Sequence, residues 1–243
     1  YLACGDIGAG KMPSEQVLLE YILREISEEK DLRGKKVMVT AGPTQEKMDP
    51  VRFLSNHSTG KMGYAIARHC MQRGAQVTLI TGKTMTPKPS FVKVVEVTSA
   101  KDMFEAVKAC YAEQDIIIKA AAVSDYRPVY VAEQKVKKQD GEMIIELERT
   151  EDILQFLGDN RREDQFLCGF SMETENLLEN SRAKLKKKHL DMIVANNLKD
   201  AGAGFGVDTN VVTLITADQV IELPLMRKEE VAKNIVDTIQ NIK

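Results

Sequence analysis

Tryptophan is absent from the 243 residues, and histidine and cysteine are scarce, with three and four copies. Cys4, Cys70, Cys110 and Cys168 are far apart and form no CxxC pair, which argues against a structural zinc site or a disulfide framework. His57, His69 and His189 show no metal-ligand spacing, so no metal site is expected. An excess of one charge is also missing: 34 Lys and Arg against 36 Asp and Glu leave a formal net charge of -2. No bulk field draws such a chain to nucleic acid or to an anionic membrane, so an anionic ligand needs a local site. No apolar run approaches the roughly 18 residues of a membrane span, and no cleavable signal is visible. A soluble, cytoplasmic protein is the expectation. The chain opens on Tyr1-Leu2 in place of Met, which reads as a piece of something longer.

What is present reads as a folded domain, since 43% hydrophobic and 29% charged residues exclude a disordered chain. From Lys35 onward strands and helices alternate. Buried strands are predicted at 36–40, 76–80, 92–97, 115–118, 166–170 and 192–195, with helices at 62–73, 101–113, 175–188 and 227–242. Residues 211–216 and 220–223 read as an antiparallel hairpin at an edge. This rhythm predicts an α/β fold: a doubly wound, Rossmann-like, mostly parallel sheet with helices on both faces. Two segments interrupt it. Residues 1–31 carry a Gly-rich start, a helix at 14–28 and a charged linker. Residues 127–149 form a charged excursion with an extended stretch, Met143-Ile144-Ile145-Glu146-Leu147, too long for a simple connection and therefore an arm, flap or dimerisation element.

Open α/β sheets bind ligands outside the carboxyl ends of their strands. After the first strand, Arg52, Asn56, Ser58, Thr59, Gly60 and Gly63 lead into a helix, offering hydroxyls, free N–H groups and a guanidinium to an anion. The bland alternative is a capped loop whose glycines allow close helix–sheet packing. After the central strand comes Ala120-Ala121-Ala122-Val123-Ser124-Asp125, where small residues admit a ligand to the backbone and Asp125 offers an acceptor; tight packing and a turn would explain the same residues. Gln134-Lys135-Val136-Lys137-Lys138 is either solvated surface or a cationic arm able to close over a polyphosphate. Phe170 could stack on a base or belong to the core, and Lys184, Lys186, Lys187 and Lys188 are a polar helix face unless one turns into the crevice.

Taken together, Thr40-Ala41-Gly42-Pro43-Thr44, the run Asp49-Pro50-Val51-Arg52-Phe53-Leu54-Ser55-Asn56-His57-Ser58-Thr59-Gly60-Lys61-Met62-Gly63, Ala120-Ala121-Ala122-Val123-Ser124-Asp125-Tyr126-Arg127-Pro128, Lys135-Val136-Lys137-Lys138 and Gly169-Phe170-Ser171-Met172-Glu173-Thr174 resemble the phosphopantothenoylcysteine synthetases of coenzyme A biosynthesis. The likeness covers residues 32–243. Ser124 and Gln134 stand where that family commonly has Ala and Glu. Ahead of it, Ala3-Cys4-Gly5-Asp6 with Gly8, Gly10, Lys11, Met12 and Pro13 is similar to the tail of the FMN-dependent phosphopantothenoylcysteine decarboxylases, fused ahead of the synthetase in many bacteria.

The resemblance implies a CTP- and Mg²⁺-dependent ligase that couples 4′-phosphopantothenate to L-cysteine through an acyl-cytidylate; eukaryotic relatives use ATP. Lys135 matches the lysine needed to form that intermediate, Asn56 the asparagine that converts it, and Arg52 and Ala122 residues supporting the second step. Ser58 would touch phosphate. Lys119, Ala120, Ala121, Asp125, Glu151, Asp152, Ile153, Leu154, Phe170, Lys184 and Lys188, together with Lys135, would form the nucleotide pocket. Cys4 matches the proton donor of the decarboxylase half and would be inert here. Residues 127–149 would supply flap and homodimer contact.

Two rivals stand beside this. A nicotinamide-dependent reductase also holds its cofactor on a Gly-rich first loop, but Ile80-Thr81-Gly82-Lys83 offers no acidic residue for a ribose and no Tyr-x-x-x-Lys pair occurs. A non-catalytic nucleotide sensor would bind CTP without turnover.

Overall fold

The computed structural model describes residues 12–138, 141–173, 175–197, 202 and 204–242. In chain order the elements are α1 (Glu15–Ile26), β1 (Lys36–Ala41), β2 (Gln45–Lys47), β3 (Phe53–Ser55), α2 (Lys61–Gln72), β4 (Gln76–Thr81), β5 (Lys93–Glu96) and α3 (Ala100–Cys110). There follow β6 (Ile116–Lys119), β7 (Tyr126–Pro128), β8 (Leu147–Arg149), α4 (Ile153–Asn160), β9 (Phe166–Glu173) and α5 (Leu177–Lys187). The chain ends with β10 (Met192–Asn197), β11 (Thr209–Thr216), β12 (Val220–Arg227) and α6 (Lys228–Ile242).

Eight strands form one sheet in the order β12-β11-β10-β9-β6-β1-β4-β5. Pairing is parallel from β10 to β5, and β11 and β12 add the antiparallel hairpin at the edge. The doubly wound α/β sheet expected from the βα rhythm is therefore the one observed. β1 pairs with β4 on one side and β6 on the other, so the winding reverses between β1 and β6 and opens a crevice at their carboxyl ends.

Alternation along each strand feeds two cores. Val37, Val39, Ile116, Ile118 and Val194 face α2 and α6, while Met38, Ile80, Ile117, Leu167 and Ile193 face α3, α4 and α5. Burial on both faces is what gives these strands their unbroken apolar runs. The first turn of α2 lies flush on the end of β1, because a Cβ on Gly63 would meet the Ala41 Cβ at 2.5 Å. Among the described residues no helix is long and apolar enough to cross a membrane.

The structure corrects the sequence reading in the two irregular regions. The loop after β1 contains the small antiparallel ribbon β2–β3, which three-residue strands conceal from any periodicity argument. The excursion is closed at its root by β7–β8, and the stretch expected to be extended from Met143 enters a strand only at Leu147. Ile144 is 90% exposed: an apolar triplet alone does not make a strand without a neighbour to pair with. Within the predicted 14–28 helix, α1 buries no residue; it rests on the following domain through an edge-on contact of Tyr21 with Phe91 and the Arg24 guanidinium over the Phe91 ring.

Candidate active site

The crevice between the ends of β1 and β6 is a cleft of about 310 Å³. Its floor is the chain that continues β6. Ala121 N–H donates to Thr40 Oγ1 at 3.2 Å and Ala122 N–H to the Gly42 carbonyl at 2.9 Å, so the two strand ends are stitched together. Methyl side chains there leave the backbone open to a ligand. The Ala122 carbonyl accepts from Thr44 N–H and, at 3.0 Å, from the Asn56 side-chain amide, which fixes Asn56 on the cleft wall.

One end of the cleft is the start of α2. Gly60 caps it in a left-handed conformation (φ 77°) with no side-chain hydrogen bond, and the first turn carries no acidic residue. The free N–H groups of that turn, with Ser58, Thr59 and Lys61, line the cleft as donors to an anion. At this end Asn210 donates to Asn196 Oδ1 at 3.1 Å, and Lys228 closes the wall.

The other end is of mixed charge. Lys119, Asp125, Phe170 and Lys184 line it, and it opens into an adjoining cavity of about 560 Å³ lined by Glu151, Asp152, Ile153, Leu154 and Lys188. Asp152 caps its own helix, accepting from Gln155 N–H at 2.9 Å, and also takes Lys188 Nζ at 2.5 Å. Glu151 pairs with Arg127 at 3.1 Å. Lys184 Nζ donates to the Phe170 carbonyl at 3.0 Å. Burial, then the neighbouring Lys184 ammonium, pushes Lys119 down to about 8, and burial likewise lowers Lys184.

The structure thus brings Asn56, Ser58, Lys119, Ala120, Ala121, Ala122, Asp125, Phe170 and Lys184 to one cleft, with Glu151, Asp152, Ile153, Leu154 and Lys188 beside it. Arg52 and Lys135 line neither. The Arg52 guanidinium donates to Asp49 Oδ2 at 3.0 and 2.6 Å and to the Val136 carbonyl at 2.7 Å, so in this state it ties down the arm rather than reaching for an anion. Lys135, exposed, precedes that anchored residue. The Arg52 guanidinium, helped by three backbone N–H groups, holds the buried Asp49 carboxyl well below the usual carboxylate range. Cys4 lies outside the described residues. Among the described residues no group of three His, Cys, Asp or Glu could hold a metal ion.

Residues 32–242 match the family described as the DNA/pantothenate metabolism flavoprotein C-terminal domain. The chain belongs to this family. It is 47% identical over 98% of its length to the coenzyme A biosynthesis bifunctional protein CoaBC of Bacillus subtilis, and spans 60% of that protein. It is 43% identical, over 98% of its length and 68% of the relative, to a cysteine/cysteine sulfinic acid decarboxylase of an unknown prokaryotic organism. A crystal structure of the C-terminal domain of a CoaBC protein superimposes with a TM-score of 0.74 at 46% identity, covering 87% of this chain and 96% of that one.

Beyond the residues singled out from sequence, the family fold adds Lys61, Asn196, Asn210, Phe205 and Lys228 to the cleft. Asn196 could have been found, since it ends a parallel strand on the ligand side of the sheet. Lys228 could not: its place follows from how the edge hairpin returns α6 to the side of α2.

Proposed function

We propose that residues 32–243 are a phosphopantothenate–cysteine ligase domain of coenzyme A biosynthesis that activates its acid with CTP. The observation that carries this reading is the cleft itself, with an uncapped, donor-only end at α2 and a wider mixed-charge end at Asp125, Phe170 and Lys184. Two phosphorylated ligands of different shape fit such a cleft end to end. The nucleoside suits the wide end, where Phe170 offers a face for stacking and Asp125 an acceptor. The phosphate of 4′-phosphopantothenate suits the start of α2, leaving its carboxylate over the Ala120-Ala121-Ala122 floor. The kinship with CoaBC proteins supports the assignment.

In this reading an oxygen of the acid carboxylate attacks the α-phosphorus of CTP. The bond from that phosphorus to the bridging oxygen breaks, and pyrophosphate departs with the electron pair. Lys135, brought over by the arm, would neutralise charge growing on the leaving group. The cysteine amine then attacks the acyl carbon, the carbon–oxygen bond to the cytidylate breaks, CMP leaves and the amine proton passes to water. Asn56 would hold the acyl phosphate during that attack. Replacing oxide by a nucleotide as leaving group is what makes the amide accessible. Mg²⁺ would arrive on the triphosphate, since the cleft supplies no cage of carboxylates for it.

Apolar side chains on the arm, with Tyr130 75% and Ile144 90% exposed, support a homodimer formed through it. In a longer parent a flavin-dependent decarboxylase half carrying FMN would precede residue 32, and the enzyme would work in the cytoplasm. The test is pyrophosphate release with Mg²⁺, 4′-phosphopantothenate and CTP or ATP, with and without cysteine. Release with CTP, and amide only after cysteine is added, is expected. Release with ATP alone would overturn the nucleotide assignment, and none from folded protein would overturn the ligase.

A further inference from the structure

The donor-only end of the cleft is bounded by an irregular stretch, 204–207, whose four carbonyls are all taken by side chains. Lys228 Nζ donates to the Gly204 carbonyl at 2.9 Å and also to that of Val207, Thr59 Oγ1 donates to Phe205 at 2.6 Å, and Lys61 Nζ to Gly206 at 3.1 Å. Irregular surface chain ordinarily leaves such carbonyls to water. Here the first turns of two helices packed side by side, α2 and α6, hold the segment down.

The donors are costly choices. Lys61 and Lys228 are the first residues of their helices, where the macrodipole is positive and repels an ammonium. Lys228 is 4% exposed, and burial followed by the charge of Lys61 pushes it below the usual lysine range. The one carboxylate engaged there, Asp208, is bound to Lys61 at 2.7 Å with its side chain 83% exposed. A segment that only needed anchoring could be held by neutral donors. Two ammonium groups at two helix starts, both lining the cleft with Phe205 between them, make an electrostatic deficit that an incoming anion relieves.

We propose that Lys228 is a positioning and specificity-determining residue for the phosphorylated acid: it clamps 204–207 across the start of α2, shaping the end of the cleft that receives a phosphate monoester, and its charge favours that dianion over the unphosphorylated acid. This rests on the ligase reading. The discrimination it describes is between two acids alike except for one phosphate, so the relevant quantity is a ratio of affinities.

The test uses the full chain and steady-state pyrophosphate release, with 4′-phosphopantothenate as substrate and pantothenate as competitive inhibitor, in wild type, Lys228→Met, Lys228→Arg and Thr59→Val. Lys228→Met should raise KM for the phosphorylated acid about tenfold, as for loss of a charge-assisted contact, while KM for CTP and the inhibition constant of pantothenate stay within about twofold. Lys228→Arg should recover most of the ratio, and Thr59→Val, which removes the Phe205 tether alone, should shift it about threefold. Thermal melting checks each fold; if Lys228→Met does not fold, the Thr59→Val and Lys228→Arg ratios decide. A ratio that does not move, or a CTP KM that rises as much as that of the acid, overturns the clamp. A wild type that releases no pyrophosphate overturns the ligase reading, and the clamp with it; an active wild type with unmoved ratios overturns the clamp alone.

Discussion

Ala121 and Lys135 both belong to the proposed site, yet they sit in regions built differently. Ala121 is 7% exposed on a strand end bonded to Thr40, in the middle of a sheet with a core on each face. Lys135 stands on an exposed arm whose neighbouring anchor is Val136, gripped through its N–H by Asp49 at 3.1 Å and through its carbonyl by Arg52. The binding surface is prebuilt, whereas the arm's cation is held by a tether that can be cut without touching the sheet. The difference teaches that binding and chemistry should be separable by mutation.

Three experiments probe that separation, from the largest effect to the smallest. Lys135→Gln should cut pyrophosphate release at least about a hundredfold, the usual scale for a group stabilising charge in a transition state, with an unaltered melting temperature. Release within twofold of wild type would make the arm lysine mere surface and erase the contrast. Asp49→Asn keeps the shape but removes the charge that holds Arg52, so the arm should wander and kcat fall about tenfold, while CTP affinity measured by calorimetry stays put. Equal losses in both would show that the tether also supports the cleft. The third concerns the prebuilt side. With Lys119 at about 8 in the folded chain and near the ordinary lysine value when unfolded, the unfolded chain holds the extra proton between those limits. Stability of the ligand-free protein should therefore rise with pH through that window, its cost being complete below it. CTP affinity should move the other way, weakening about fivefold from pH 7 to pH 9 as the ammonium is lost. Lys119→Met should flatten both curves; a persisting slope would assign them to another group.

The repeating part of this architecture was open to reading from residues alone. Val37 to Ala41, Ile116 to Ile118 and Leu167 to Cys168 are buried on both faces, so their unbroken apolar character reports central parallel strands, and the carboxyl-end rule then points at Asn56, Ser58 and Ala120. The irregular part was not. β2–β3 and β7–β8 are three residues per strand, below the length at which a period can be seen. Arg52 looked like a hand for an anion, because nothing in sequence announces that Asp49, three residues earlier, turns back to bind it and that Val136 completes the grip. Lys228 was hidden for a related reason. Its partners at 204 and 207 are about twenty residues away in the chain, and a hairpin brings them together.

The cleft draws on residues from Asn56 to Lys228, nearly the whole span of the domain, and this bears on how the chain acquires function as it is made. The unit from β1 to β5 has its pairings within the first hundred residues and can assemble early during synthesis. It contains the start of α2 but neither floor nor far wall. The floor waits for β6, and the wall waits for α6, the last helix to emerge. A half-made chain therefore has nothing for a phosphorylated ligand to grip. Ligand present during synthesis can reward completion alone, pulling on the finished fold by mass action and leaving the intermediates untouched.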